Sequence, residues 1–377
     1  MTSAPAPDTA APPARPPRIL VVDWLRGIAV VTMVLAHSFD AWMNPIQRTG
    51  LAWHIVKHAS GIPSRLFLFL VGVSTAIVFE SALKRGRPES EMRAQTAKRG
   101  LLVLVLAYVF RLQEHILAGF WGGWKQVFRV DILNCIGASL LVLALVGVPR
   151  KGRPAYLPAL LATAVFVGLG PIVGPMPIAQ WFPEPLRTYV EPITSYVGGQ
   201  RPMSWFALFP WGAWANVGLV IGHLWLRHGR DAAGQARCFR LSGLIGALCV
   251  TSVLIVREVN PQIIRYATDV NQQMGPGSFF FRLGLVLLIS YVGWEVTRRD
   301  RGGFSPVRQL GMTSLLIYWI HVEICYGFAT RPLHKQLSFA GATLAYVALL
   351  LAMLALSMVK TRYAPGLKAR FRARFRS

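Results

Sequence analysis

The sequence is short of charge, shorter still of acid, and almost without cysteine. Charged residues fill 15% of its 377 positions, against about 25% in an ordinary soluble domain. So few ionic side chains cannot cover a water-facing surface, which excludes a typical cytosolic enzyme. A hydrophobic share of 54% likewise excludes a disordered chain. Asp and Glu number only 16 against 40 Lys and Arg, for a formal net charge of +24. Cys135, Cys238, Cys249 and Cys325 are scattered through apolar runs with no CxxC pair. Disulfide scaffolds and zinc sites need clustered or paired cysteines, so the thiols are expected to be buried and reduced, and no metal is expected.

What the chain has instead is length in its apolar runs, with a mean hydropathy of +0.44. A bilayer core about 30 Å thick is crossed by about 20 helical residues. Runs of that order follow one another at 19–39, 63–83, 100–119, 132–148, 155–174, 203–226, 239–256, 278–296, 310–329 and 338–359. They predict an all-α polytopic integral membrane protein of about ten transmembrane helices over residues 18–360. The third run is the least regular, because Arg111, Glu114 and His115 interrupt it. Residues 1–17 are Ala/Pro-rich and too poor in large apolar side chains to fold, so a disordered cytoplasmic tail is expected there. They lack the basic start and short apolar core of a signal peptide.

The basic residues orient the chain. With the N-terminus cytoplasmic, 26 Lys and Arg fall on the cytoplasmic side and 10 on the other, which predicts an N-in, C-in protein. The excess is thereby spread over cytoplasmic loops facing anionic headgroups. Residues 361–377 form a basic cytoplasmic tail whose KARFRARFRS alternates cation and Phe, as a membrane-surface segment does. A nucleic-acid protein would gather its basic residues on one folded face; none is expected as a partner.

Ionisable residues inside a bilayer are costly and mark function or helix pairing. Asp23 and Arg26 fall in the cytoplasmic half of the first span, and His37 at its outer end. Arg65, Asp131 with Asn134, and Arg282 open later spans from outside, while Arg111, Glu114 and His115 interrupt the third and His321 with Glu323 lies in the ninth. Most of these converge toward the outer leaflet, as the polar groups of a cavity would. Arg26 and His37 are eleven residues apart, about three turns and ~16 Å on nearly one helix face. His54, Lys57 and His58 precede the second span in an outer loop. The longest outer loop, 175–202, holds Trp181, Phe182, Tyr189 and Tyr196, which suit a sugar face or an interfacial aromatic belt. The same charges would serve a transporter or flippase for a sugar or lipid-linked substrate, but residues 18–200 and 201–360 show no convincing internal repeat. A pure scaffold would carry these charges at a needless cost.

Asp23-x-x-Arg26-Gly27 followed by His37 resembles the first helix of transmembrane acyltransferases. Together with RLFLFLVGVS from Arg65, RVDILNCIG from Arg129 and LGMTSLLIYWIHVEICYG from Leu310, it resembles the bacterial family similar to the catalytic domain of heparan-α-glucosaminide N-acetyltransferase. The resemblance runs over residues 18 to about 360. It implies a bacterial inner-membrane enzyme that moves an acetyl or acyl group from cytosolic acyl-CoA, its donor substrate, to a hydroxyl or amine of an extracytoplasmic glycan or related acceptor. Heparan sulfate itself is not expected as that acceptor. His37 best matches the family's membrane-embedded histidine. His58 is a second candidate: His58-Ala59-Ser60 echoes that family's His-Ala context, but Gly61-Ile62-Pro63 replaces its Trp-Asn-Gly. On this reading His37 is a general base or forms a transient acyl-imidazole. Glu114, Asp131 or Glu323 orients it, and His321 joins the catalytic set. Arg26, Arg65, Arg111 and Asn134 are expected to contact the donor, with Arg111 or Asn134 meeting the oxyanion. The acceptor, the acyl chain, O- versus N-linkage and the oligomeric state stay open.

Overall fold

The computed structural model describes residues 19–120, 123–149, 156–199, 201–259, 275–300 and 302–374; the expected N-terminal tail lies outside them. Among the described residues there is no strand, only two isolated bridges. The helices are α1 (Leu20–Trp42), α2 (Gly50–Ala59), α3 (Ile62–Lys84), α4 (Glu89–Leu117), α5 (Ile132–Val146), α6 (Leu157–Val173) and α7 (Glu184–Thr194). They continue as α8 (Leu208–His228), α9 (Ala232–Val259), α10 (Pro276–Arg298), α11 (Pro306–Met312), α12 (Ser314–Tyr326) and α13 (Phe339–Arg374).

Six stretches are long and apolar enough to cross a membrane: Leu20–Trp42, Gly50–Lys84, Glu89–Leu117, Ala232–Val259, Pro276–Arg298 and Phe339–Tyr363. α5, α6 and α12 are apolar but shorter. The protein is an all-helical integral membrane protein. Leucines on the outer faces of α4, α9 and α13, such as Leu102, Leu244 and Leu351, are more than half exposed, and a bilayer covers such faces at no cost.

Two expectations change, and the least regular of the expected spans proves continuous. The run at 310–329 is not one helix: it breaks at Thr313 (φ −122°, ψ 20°) into α11 and α12. There Thr313 Oγ1 bonds Ser357 Oγ at 2.6 Å, a side-chain partner that helps hold the break. The irregular third run is instead a continuous 29-residue helix, because Arg111 meets carboxylates and a carbonyl rather than lipid. The outer segment at 50–59 is helical, not a loop, and α7 occupies part of 175–202.

Helices in lipid gain little from burying apolar surface against each other, so small residues that admit close packing set the contacts. α3 and α8 interlock through Gly72 and Gly218. A Cβ on Gly72 would overlap the Ala215 carbonyl oxygen, and one on Gly218 would lie 2.8 Å from the Phe69 carbonyl carbon. One apolar core gathers α1, α3, α8 and α10 around Leu25, Phe69, Trp214 and Leu283. A second gathers α1, α12 and α13 around Val34, Ile317 and Met353. Phe67, Ile132 and Ile136 pack against both, and a cavity opens at that seam.

Candidate active site

The cavity holds about 830 Å³ and is walled mainly by α1, α3, α4, α5 and α12. Arg26, Ser74 and Arg99 line one end. There Arg26 donates Nη2 to Ser74 Oγ at 2.8 Å and Nη1 to Asp23 at 3.3 Å. Met33, Phe67, Leu70, Val71 and Leu106 make an apolar middle. His37, Asp40, Arg65, Glu114 and Asp131 line the other end. The rise of α1 separates Arg26 from His37 by ~16 Å.

His37 meets His321 across the gap between α1 and α12, with Nδ1 of His37 2.8 Å from Nε2 of His321. The ring planes are parallel within 2° with centroids 5.0 Å apart, an arrangement that accommodates this bond. His321 is fully buried, and its Nδ1 lies 2.7 Å from the Ile317 carbonyl oxygen. A carbonyl only accepts, so Nδ1 of His321 carries the proton and, in the neutral ring, its Nε2 is the acceptor. His37 then donates from Nδ1, and in the neutral ring Nε2 keeps the lone pair on the cavity side. The partner that orients His37 is therefore an imidazole, not one of the carboxylates expected from the sequence.

The carboxylates are committed elsewhere. Asp131 accepts from Arg111 at 3.3 Å and Arg129 at 3.4 Å, and Glu114 pairs with Arg111. Arg111 also donates Nε to the Gln126 carbonyl at 3.0 Å. Glu323 accepts from Gln113 Nε2 at 3.1 Å.

Residues 18–253 match the family described as heparan-alpha-glucosaminide N-acetyltransferase, catalytic. The chain belongs to this family. No curated protein matches it. The matched stretch carries the α1, α3, α4 and α5 walls of the cavity, whereas α12 with His321 lies beyond it.

Within this acetyltransferase-family framework the remaining expected residues separate by position. Arg65 is buried beside the cavity, bonded to the Gly61 carbonyl and stacked 4.9 Å over the Trp211 ring. His58 is exposed on the last turn of α2 and does not line the cavity, although the following Ser60 and Gly61 do. Arg111 and Asn134 stand behind the wall rather than in it. Asn134 forms a capping box with Asp131 at the start of α5, its Oδ1 accepting from the Asp131 N–H at 3.2 Å. Its Nδ2 donates to Tyr196 Oη at 2.8 Å, so both ends of its amide are engaged. Burial, then the bond to Tyr108, pushes the Tyr196 phenol above its ordinary pKa, and it stays a neutral hydroxyl. Tyr196 thus ties the segment after α7 to the cavity wall. Trp181 and Tyr189 remain exposed, away from the lining. Among the described residues no cluster of His, Cys, Asp or Glu is placed to hold a metal ion.

The structure adds residues that sequence reasoning passed over. Asp40 lies one turn after His37, a spacing that signals a shared face, and accepts from Tyr326 Oη at 2.9 Å. Tyr326 in turn sets its ring edge against His37, with centroids 5.7 Å apart. Arg99, Arg129, Arg201 and Trp205 also line the cavity. Arg129 opens the RVDILNCIG stretch, but no local sequence pattern marked Arg99, Arg201 or Trp205, each of which sits in what reads as an ordinary basic or aromatic loop or helix end.

Proposed function

We propose that this protein is a membrane acyltransferase of ten transmembrane helices, N-in and C-in, that carries an acetyl or acyl group from acyl-CoA to a hydroxyl or amine of a glycan or related acceptor. One observation carries the reading: a single cavity runs from a guanidinium pair, Arg26 and Arg99, to an imidazole whose tautomer is fixed with Nε2 open. The donor enters at the arginine end, which is cytoplasmic on this topology, and cations there suit its phosphates. The apolar middle excludes water from the thioester. The acceptor enters at the His37 end, outside the cytoplasm.

His37 acts as the general base. Nε2 takes the proton of the acceptor hydroxyl or amine as that atom attacks the thioester carbonyl carbon. The tetrahedral intermediate then collapses, the C–S bond breaks, and the CoA thiolate leaves and takes up a proton. His321 is a positioning residue that holds Nδ1 of His37. Arg111, with Glu114 and Asp131, braces the wall that faces the acceptor. His58, exposed and off the cavity, takes no part. The transporter alternative uses the same charges but is not favoured by membership of an acetyltransferase family.

Three measurements check this reading. Acetyl-CoA should bind the purified protein in detergent and release free thiol in a His37-dependent manner; failure of both sinks the proposal. Replacing His321 with Gln removes the imidazole that fixes the tautomer. It is expected to lower kcat about 100-fold while leaving the acetyl-CoA KM within about twofold. A KM rise with unchanged kcat would place His321 in donor binding instead. Conversely, Arg99→Gln is expected to raise the acetyl-CoA KM about tenfold, the loss of one charge-assisted contact, with kcat preserved.

A further inference from the structure

Six charged side chains line the His37 end of the cavity: Asp40, Arg65, Glu114, Arg129, Asp131 and Arg201. Three are acids and three are cations, but cations outside this lining, Arg48, Arg111 and Lys335, also pair with the acids. The three carboxylates are already shared among four cations. Asp131 is held by Arg111 and Arg129, Glu114 by Arg111, and Asp40 by Arg48 at 3.7 Å and Lys335 at 3.4 Å. Arg65 and Arg201 have no carboxylate partner among the described residues.

Both are held for use. Arg65 is only 3% exposed, and its guanidinium spends one nitrogen on the Gly61 carbonyl while its face rests on Trp211. Arg201 lies 3.8 Å over the Trp205 ring, which Arg129 approaches at 5.8 Å. The loop is pinned there by Val130 and Trp205, whose backbone N–H groups bond the Met203 and Val130 carbonyls. A guanidinium flat on an indole keeps its N–H edge free, and that edge matches the paired oxygens of a phosphate or carboxylate. Arg65, buried without a counter-ion among the described residues, carries a heavy desolvation cost that a bound anion offsets, whereas Arg201 is exposed and within reach of an entering acceptor.

We propose that the His37 end of the cavity recognises acceptors by an acidic group, a phosphate or a carboxylate, held between Arg65 and Arg201 beside the hydroxyl or amine that His37 deprotonates. The inference rests on the acyl-transfer reading for the nucleophile, but the anion site itself is independent of it.

The test is a titration of the purified full-length protein in detergent at low salt with glucose 1-phosphate, glucuronate and glucose, read by calorimetry. At least one acidic sugar should bind tenfold or more tightly than glucose, and which one does so tells phosphate from carboxylate. The preference should fall about tenfold in Arg65→Gln and in Arg201→Gln, and be partly restored in Arg65→Lys. Because Arg65 is buried, Arg201→Gln in the loop keeps the test readable where Arg65→Gln does not fold. Equal binding of the three sugars, binding of none, or a preference untouched by both substitutions overturns the proposal. Thiol release from acetyl-CoA in the same preparation separates the two readings. His37-dependent release without a charge preference removes only the anion site. A charge preference without release removes only acyl transfer.

Discussion

Replacing His37 with Ala is expected to lower acetyl transfer by about 10³-fold, within the span that a positioned general base contributes, while acetyl-CoA still binds within about twofold of its wild-type Kd. The two outcomes are separable because His37 and Arg26 stand ~16 Å apart along one helix. On the proposed mechanism the donor's charged end meets Arg26 and Arg99, whereas the imidazole meets the reacting atoms. His37→Gln is the sharper variant, since its amide can still donate to His321 but offers no basic nitrogen to the acceptor. Full activity in either variant, with the protein folded and inserted, would remove His37 from the chemistry. His58→Ala in parallel is expected to change neither kcat nor KM by more than about twofold, since its ring is exposed and off the cavity.

The largest structural effect is expected from Gly72→Leu. The added side chain would drive into the α8 backbone, where even a Cβ overlaps the Ala215 carbonyl oxygen and lies 2.8 Å from the Gly218 carbonyl carbon. Backbone cannot rotate away as a side chain does, so α3 and α8 must separate. Overpacking of this kind costs about 3 kcal/mol or more, and α3 carries Arg65, Phe67 and Ser74 of the cavity lining. The expected result is loss of the monodisperse protein on size exclusion and of acetyl-CoA binding together. Gly168→Leu on α6 is the control: nothing lies within 4 Å of a Cβ there, and the variant should accumulate and melt like the parent. Equal behaviour of the two variants would show that the α3–α8 contact does not hold the bundle together.

Much of the site was legible because helices impose a period. His37 at eleven residues from Arg26 had to share a face with it, and both line one cavity. Glu114 and Asp131 stood out as carboxylates in apolar surroundings, and both line that cavity too. Their pairing was not legible. Arg111 and Asp131 come from different helices, and nothing local told Asp131 to meet Arg111 rather than His37. Asn134 read as a donor to the reaction because a polar residue in an apolar run is conspicuous, whereas its amide is consumed by the capping box and Tyr196. Asp40 was one turn from His37 and could have been read; Arg201 and Trp205 could not, since tertiary contacts such as the bridge between Val130 and Ser204 bring their loop to the cavity.

By itself the sequence determined that this chain is helical and lives in a bilayer. Apolar runs of spanning length with few charges have no other stable state where backbone groups must be satisfied within the segment. It also determined which side chains could not be lipid-facing. What the sequence left open, the tertiary structure decided: the partner of each polar group. His37 is 284 residues from His321 along the chain, and their hydrogen bond exists only because the fold packs α12, which begins after the break at Thr313, against α1. Tautomer, and with it the free nitrogen, is a property of that pair and not of either residue. The same holds for Arg65 and Arg201, whose lack of a carboxylate among the described residues is visible only once the acids lining the cavity have found their cations.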